Sequence, residues 1–193
     1  MKKIYAFDFD GTLTTKDTLL EFIRFAKGTL AFGWGFMRYA HLLVLMKLGL
    51  YPNWKAKQKV FAHFFKDTTL DDFDAICQEF TASSRHLLRP KGIEAINQAL
   101  KEGSEVLIVS ASIDNWVQPF FPQVKVLGTQ IEVVDGKLTG RFLTKNCYGE
   151  EKVNRLKAIY PNRQDYHLTA FGDSNGDKEL LAFADESYFK PFR

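Results

Sequence analysis

The chain has 193 residues, 46% of them apolar and 25% charged, which suits one folded domain with room for a smaller insertion. Its net charge of +3 is too small for the basic surface of a nucleic-acid binder, so no nucleic-acid partner is expected. No run of about 20 apolar residues is uninterrupted, which argues against a spanning helix, and Cys77 and Cys147 stand in no metal-ligand spacing.

Met-Lys-Lys opens the chain as a secretory signal does, but Asp8 and Asp10 interrupt any apolar segment behind it, so the cytoplasm is the expected location. Residues 3–8, Lys-Ile-Tyr-Ala-Phe-Asp, form an apolar run of strand length that ends in acid. From Asp17 to His86 the chain reads as helices without a strand, too long for a single crossover, and predicts a helical cap inserted after the first strand. A helix is predicted from Ile93 to Lys101, then a second buried strand, Glu-Val-Leu-Ile-Val-Ser, at 105–110. From about Val124 to Phe142 two β-rich stretches flank Asp135-Gly136, a hairpin signal. A helix over Glu151–Ile159, a third strand over 166–171 and a helix over Lys178–Phe183 complete the pattern. Strands alternating with helices predict an α/β core with a mainly parallel sheet over 1–16 and 87–193, with the cap at 17–86. Chemistry then belongs at the carboxyl ends of the strands.

Four elements fall there. Asp8 and Asp10 stand two apart where the first strand gives way to a loop, so both side chains point to one side of an extended segment. Paired carboxylates repel unless a cation or divided protonation roles separate them. Both solutions fit a phosphate site, with Asp8 as Mg²⁺ ligand and nucleophile and Asp10 as general acid. Gly11 permits close backbone approach and Thr12 offers hydrogen-bond donors. Ser110 ends the second strand, followed by Ala111-Ser112, and reads either as a phosphate ligand or as part of a helix cap near Ser112. Lys152, near a helix start, is either a solvated surface lysine or the charge that neutralises a phosphoryl group in transit. Asp173 and Asp177 flank a tight turn after the third strand, where they either converge on a cation or cap the next helix. A nucleophile, a hydroxyl, a lysine and a second acidic pair together are the equipment of phosphoryl transfer.

These residues, in this order, resemble the four motifs of the haloacid dehalogenase superfamily of phosphatases. The motifs are Asp8-Phe9-Asp10-Gly11-Thr12, Ser110, Lys152 and Gly172-Asp173-Ser174-Asn175-Gly176-Asp177. The resemblance implies a Rossmann-like core and an aspartyl-phosphate intermediate on Asp8. It implies Mg²⁺ held by the Asp8 carboxylate, the Asp10 backbone carbonyl and Asp173, with Asp177 supporting. Thr12, Ser110, Ala111 and Lys152 would receive the phosphoryl oxygens. A cap between the first two motifs is similar to the subgroup of phosphoserine phosphatase. There a Glu soon after the first motif reads the substrate amine, and Asp17 stands at the matching place; Gly176 replaces an Asn of those enzymes.

Residues 30–50 are unusually apolar, interrupted by Arg38, His41 and Lys47. With Asn146–Lys152 they resemble the subgroup containing the phosphatidylglycerophosphate phosphatases. Two readings follow: a cationic amphipathic helix that rests on a membrane surface, or helices packed within the cap or a dimer interface. The expected activity is hydrolysis of a small-molecule or lipid phosphomonoester. The alternatives are a phosphoacceptor switch and a non-catalytic protein that keeps the fold. A switch of the receiver type carries its acidic pair and acceptor on different strands, whereas Asp10 follows Asp8 directly.

Overall fold

The computed structural model describes residues 1–193 apart from the side chain of Lys47, so that one cation of the 30–50 stretch lies outside the described residues. Seven strands form: β1 (Lys2–Phe7), β2 (Glu105–Ile113), β3 (Lys125–Thr129), β4 (Ile131–Val134), β5 (Lys137–Phe142), β6 (Tyr166–Gly172) and β7 (Glu186–Phe189). Five of them make a parallel sheet in the order β3-β2-β1-β6-β7, with Ala6 of β1 opposite Leu107 of β2 and Ala170 of β6. The central strands β2, β1 and β6 are buried on both faces, which is why they are apolar runs rather than alternations. Ile4, Ala6, Leu107, Val109, Leu168 and Ala170 pack on helices α6 (Glu150–Ile159) and α7 (Lys178–Phe183). Phe7, Val106, Ile108 and Phe171 face the other way, towards α4 (Pro90–Lys101) and the aromatic cluster beyond it.

The stretch expected as one hairpin divides in two. Lys125–Thr129 joins the main sheet beside β2, and only β4 and β5 make the hairpin, closed by Asp135 and Gly136 with φ of 49° and 73°. Those left-handed values are what a two-residue primed turn demands. The edge strand β7 escaped the sequence reading because it is four residues long and fully exposed.

Between β1 and α4 lie three helices: α1 (Thr18–Lys47), α2 (Asn53–Phe65) and α3 (Leu70–Ser84). Thr69 starts α3 by accepting the Asp72 amide on its hydroxyl at 3.2 Å, with Asp71 and Asp72 at the positive end of the helix. α1 is two helical pieces joined at Gly28, whose φ of 80° and ψ of 161° only glycine adopts at low cost. The eighteen phenylalanines find their use here: Phe22, Phe61, Phe65, Phe73 and Phe80 form one cluster with Trp116 and Phe120. Phe22 stacks on Trp116 of the short helix α5 (Asp114–Val117) at 4.8 Å, so the helices and the sheet share one hydrophobic core. The hairpin braces the same helices: Phe142 N–H donates to Gln58 Oε1 at 2.9 Å and its ring lies 6.1 Å from Phe61.

Candidate active site

Asp8 is the first residue beyond β1, held by its own amide donating to the Phe171 carbonyl at 2.9 Å. The chain then winds through Phe9–Leu13, where Gly11 has φ 79° and faces Asp173 so closely that a β-carbon would lie 2.8 Å from its Cγ. Glycine is therefore required twice, by the turn and by the contact. From α6, the buried Lys152 ammonium donates to Asp8 Oδ1 at 2.6 Å and to Asp177 Oδ1 at 2.5 Å. Asp177 Oδ2 accepts from the amides of Asp173 (3.1 Å) and Ser174 (3.0 Å) and from the Ser174 hydroxyl (2.9 Å). The turn predicted after the third strand thus both caps and converges. The Thr12 hydroxyl donates to Asp8 Oδ2 at 3.2 Å, so it is directed at the carboxylate rather than open to a ligand.

The electrostatics follow from two dry carboxylates sharing one ammonium. Burial pushes Asp8 up, and the neighbouring Asp177 charge adds to this against the pull of Lys152, leaving Asp8 at about 7. Burial also opposes the charge on Asp177, but Lys152 and the backbone amides outweigh it and hold that carboxyl below the usual range. Lys152 is disfavoured by burial yet held protonated well above its ordinary value by Asp8 and Asp177. Asp173 is raised, by burial first, although Arg193 pairs with its Oδ2. The site is short of positive charge. Carboxylate oxygens of Asp8, Asp173 and Asp177 lie within 4.8 Å of one another, a hard-oxygen set that suits Mg²⁺. Asp177 is the most heavily bonded of the three, with three donors on its Oδ2 and Lys152 on its Oδ1, whereas each Asp8 oxygen accepts one hydrogen bond and Asp173 pairs through its Oδ2 alone.

Asp10 faces the same space from the loop. Its Oδ1 accepts the Thr18 amide at the start of α1 at 2.7 Å, and its Oδ2 accepts from the Ser112 hydroxyl. Burial raises its pKa, and the Asp17 charge raises it further against those hydrogen bonds. Ser110 sits where the register of β2 shifts between Val109 and Ile113, its Oγ accepting the Ser112 amide at 3.1 Å. Asp17 is exposed and caps α1 by accepting the Leu19 amide at 3.0 Å.

A cavity of about 380 Å³ collects Asp8, Asp10, Ser110, Ala111, Lys152, Asp173 and Asp17, while Thr12 and Asp177 stand behind it. Several groups in the cavity wall or behind Asp10 carry no signal of this role in the sequence. Ser112 was legible only as a helix cap, although Ser110 and Ser112 have the two-residue spacing that puts strand side chains on one side. Thr18 and Trp116 complete its support: Trp116 Nε1 donates to Thr18 Oγ1 at 3.2 Å, beside Ser112 Oγ at 3.5 Å. Lys57 of α2, Tyr148 and Arg193 also line the cavity, and no spacing marks them.

A parallel sheet with an acidic loop after its first strand, a buried lysine and a late acidic turn defines a hydrolase class. The profile of haloacid dehalogenase-like hydrolases matches residues 5–182, and the chain belongs to that family. It is 33% identical over 196 residues to Protein CicA of Caulobacter vibrioides, covering 98% of this chain and 86% of that one. Among solved structures it is similar to a protein of unknown function from Bordetella pertussis Tohama I, with a TM-score of 0.83 at 20% identity over 97% of this chain and 89% of the other. A substrate-bound phosphoserine phosphatase shares the fold with a TM-score of 0.64 at 21% identity over 98% and 86%.

Proposed function

We propose that this enzyme hydrolyses phosphomonoesters, small-molecule or lipid, with Asp8 as nucleophile and Asp10 as general acid and base. The carrying observation is the division of the two carboxyls by their partners: Asp8 accepts from the Lys152 ammonium, whereas Asp10 accepts from the neutral Thr18 amide and Ser112 hydroxyl, while burial raises the pKa of both. An Asp8 oxygen attacks phosphorus as the ester P–O bond breaks, and Asp10 gives its proton to the departing alkoxide. Asp10 then takes a proton from water as the water oxygen attacks the aspartyl phosphate, releasing phosphate and restoring Asp8. Lys152, the Ser110 hydroxyl and the Ala111 amide neutralise and bond the phosphoryl oxygens. Mg²⁺, held by Asp8, Asp173 and the Asp10 carbonyl with Asp177 behind them, would offset phosphoryl charge. Residues 17–86 act as a cap that brings Lys57 and Asp17 to the mouth of the cavity. The enzyme works in the cytoplasm, where its two buried, unpaired cysteines suit a reducing environment.

The test is release of phosphate from p-nitrophenyl phosphate. Asp8→Asn is expected to lose Mg²⁺-dependent turnover by a factor of about 10³ or more while keeping its circular dichroism spectrum. Turnover within tenfold of the parent would remove Asp8 as nucleophile. Asp10→Asn should lose more on alkyl than on aryl esters, since only the poor leaving group needs its proton.

A further inference from the structure

We propose that the outer face of the α1–α2 helical hairpin docks on an anionic lipid bilayer. The second half of α1 is apolar on both faces, and only one of them is covered. On the inner face Phe32, Phe36 and Tyr39 pack against the core, Gly35 lies against the Phe64 ring, and Tyr39 meets His63 at 5.5 Å. On the outer face Leu30, Trp34, Met37, Val44, Leu45 and Leu48 recur at three- and four-residue intervals around His41, and all are exposed. Leu30 is 84% and Trp34 72% accessible, values of side chains that touch almost nothing. The stripe continues past the end of α1 into Leu50, 72% accessible, and Trp54 at the start of α2. An apolar face of this length is not left to water in an ordinary monomer.

Charge identifies the partner. From Phe22 to Lys66 the sequence contains no Asp or Glu and eight cations: Arg24, Lys27, Arg38, Lys47, Lys55, Lys57, Lys59 and Lys66. The other residues carry 18 Lys and Arg against 23 Asp and Glu, so the small net charge hides a cationic hairpin on an acidic body. Among the described residues, Arg38, Lys55 and Lys59 pair with no carboxylate. Lys55 instead lies 5.4 Å from the Trp54 ring and Lys59 5.7 Å from Tyr51. Apolar side chains that include Trp, bordered by unpaired Lys and Arg, are the chemistry of a helix lying in the bilayer interface over acidic headgroups. Nucleic acid would match the cations and leave Leu30, Trp34 and Met37 uncovered. A second copy of the chain would cover the apolar stripe but bring the two unneutralised cationic faces together. No described helix is long and apolar enough to cross a membrane, so this contact is a surface one.

The test is co-sedimentation of the full chain with vesicles of phosphatidylcholine alone and of phosphatidylcholine mixed with phosphatidylglycerol. Binding is expected to the mixed vesicles, to fall as salt rises, and to weaken on the order of tenfold or more in Trp34→Ser/Met37→Ser/Val44→Ser. Lys55→Gln/Lys59→Gln should weaken it less and flatten its salt dependence. Tryptophan quenching by brominated lipid in the unaltered protein supplies a readout that needs no variant. Failure to bind mixed vesicles, equal binding to both kinds, or full binding by the triple variant would each overturn the proposal. So would a dimer in sedimentation equilibrium that the triple variant converts to monomer, since the face would then belong to a second copy.

Discussion

The carboxyl end of the sheet and the outer face of the α1–α2 hairpin break the usual partition of side chains in opposite directions. At the first, Asp8, Lys152 and Asp177 are charged groups carried inside, with 5%, 2% and 0% of their surfaces exposed. At the second, Leu30 and Trp34 are large apolar groups carried outside. The interior charges are held by fixed partners within hydrogen-bond reach; the exterior apolar groups have none in the chain. Buried charge and uncovered apolar length are the two informative departures from the general rule. The difference teaches that the site is assembled within the chain, whereas the hairpin face is finished only by something outside it.

The sharpest way to break the first region is to remove the cation that two buried carboxylates share. Lys152→Met keeps the length of the side chain and leaves Asp8 and Asp177 without their partner, which should cost about 3–5 kcal/mol in urea unfolding near neutral pH. The cost should shrink in acid, where both carboxyls are protonated. A loss under 1 kcal/mol would mean that solvent reaches the pair.

Asp8→Asn should act with the opposite sign. The folded-state pKa of Asp8 is raised from 3.8 to about 7, so between those values the native state retains a proton that the unfolded chain gives up. Stability therefore falls as pH rises through that window and stays reduced above it. Asn removes the penalty, so the metal-free variant should gain on the order of 2–4 kcal/mol above pH 7 and little near pH 4. Mg²⁺ should raise the melting temperature of the parent and leave that of the variant nearly unchanged. A gain independent of pH would place its origin outside the Asp8 carboxyl.

Ser112→Ala probes the support of Asp10. Losing the hydroxyl that donates to Asp10 Oδ2 should cost about 1–2 kcal/mol. That bond favours the carboxylate, so its loss raises the Asp10 pKa. If Asp10 is the acid, the alkaline limb of the pH–rate profile moves to higher pH. A purely structural role for Ser112 would change stability without moving the limb.

The two regions also differed in how they could be read from sequence. Asp8, Asp10, Lys152 and Asp173 were legible because phosphoryl transfer restricts residue type and position at strand ends, and β1, β2 and β6 announced themselves as apolar runs. Ser112 and Thr18 were less so, because a hydroxyl near a helix start reads equally well as a cap. β3 cannot be told from the hairpin in the sequence, since β-rich residues on both sides of Gln130 do not say which sheet each will join. In α1 the apolar residues run around the whole helix, so periodicity could not separate the face that packs on Phe64 from the face that does not. Only the position of α2 decides that.

The smallest expected effect tests the second region most directly. If Trp34 contributes nothing to folding, Trp34→Gln should change unfolding free energy by no more than about 0.5 kcal/mol. Phe36, two residues on, has its ring tilted against that of Phe32 at 4.4 Å and packs on the core, so Phe36→Ala should cost several times more. The contrast between neighbours on one helix is the measurement. Equal costs would mean that the outer face is already covered in the dissolved protein, by a second chain or a shifted α1. A neutral Trp34→Gln beside a costly Phe36→Ala would leave the tryptophan without any folding role, and its exposed indole then serves a surface outside the chain only if its removal also lowers vesicle binding.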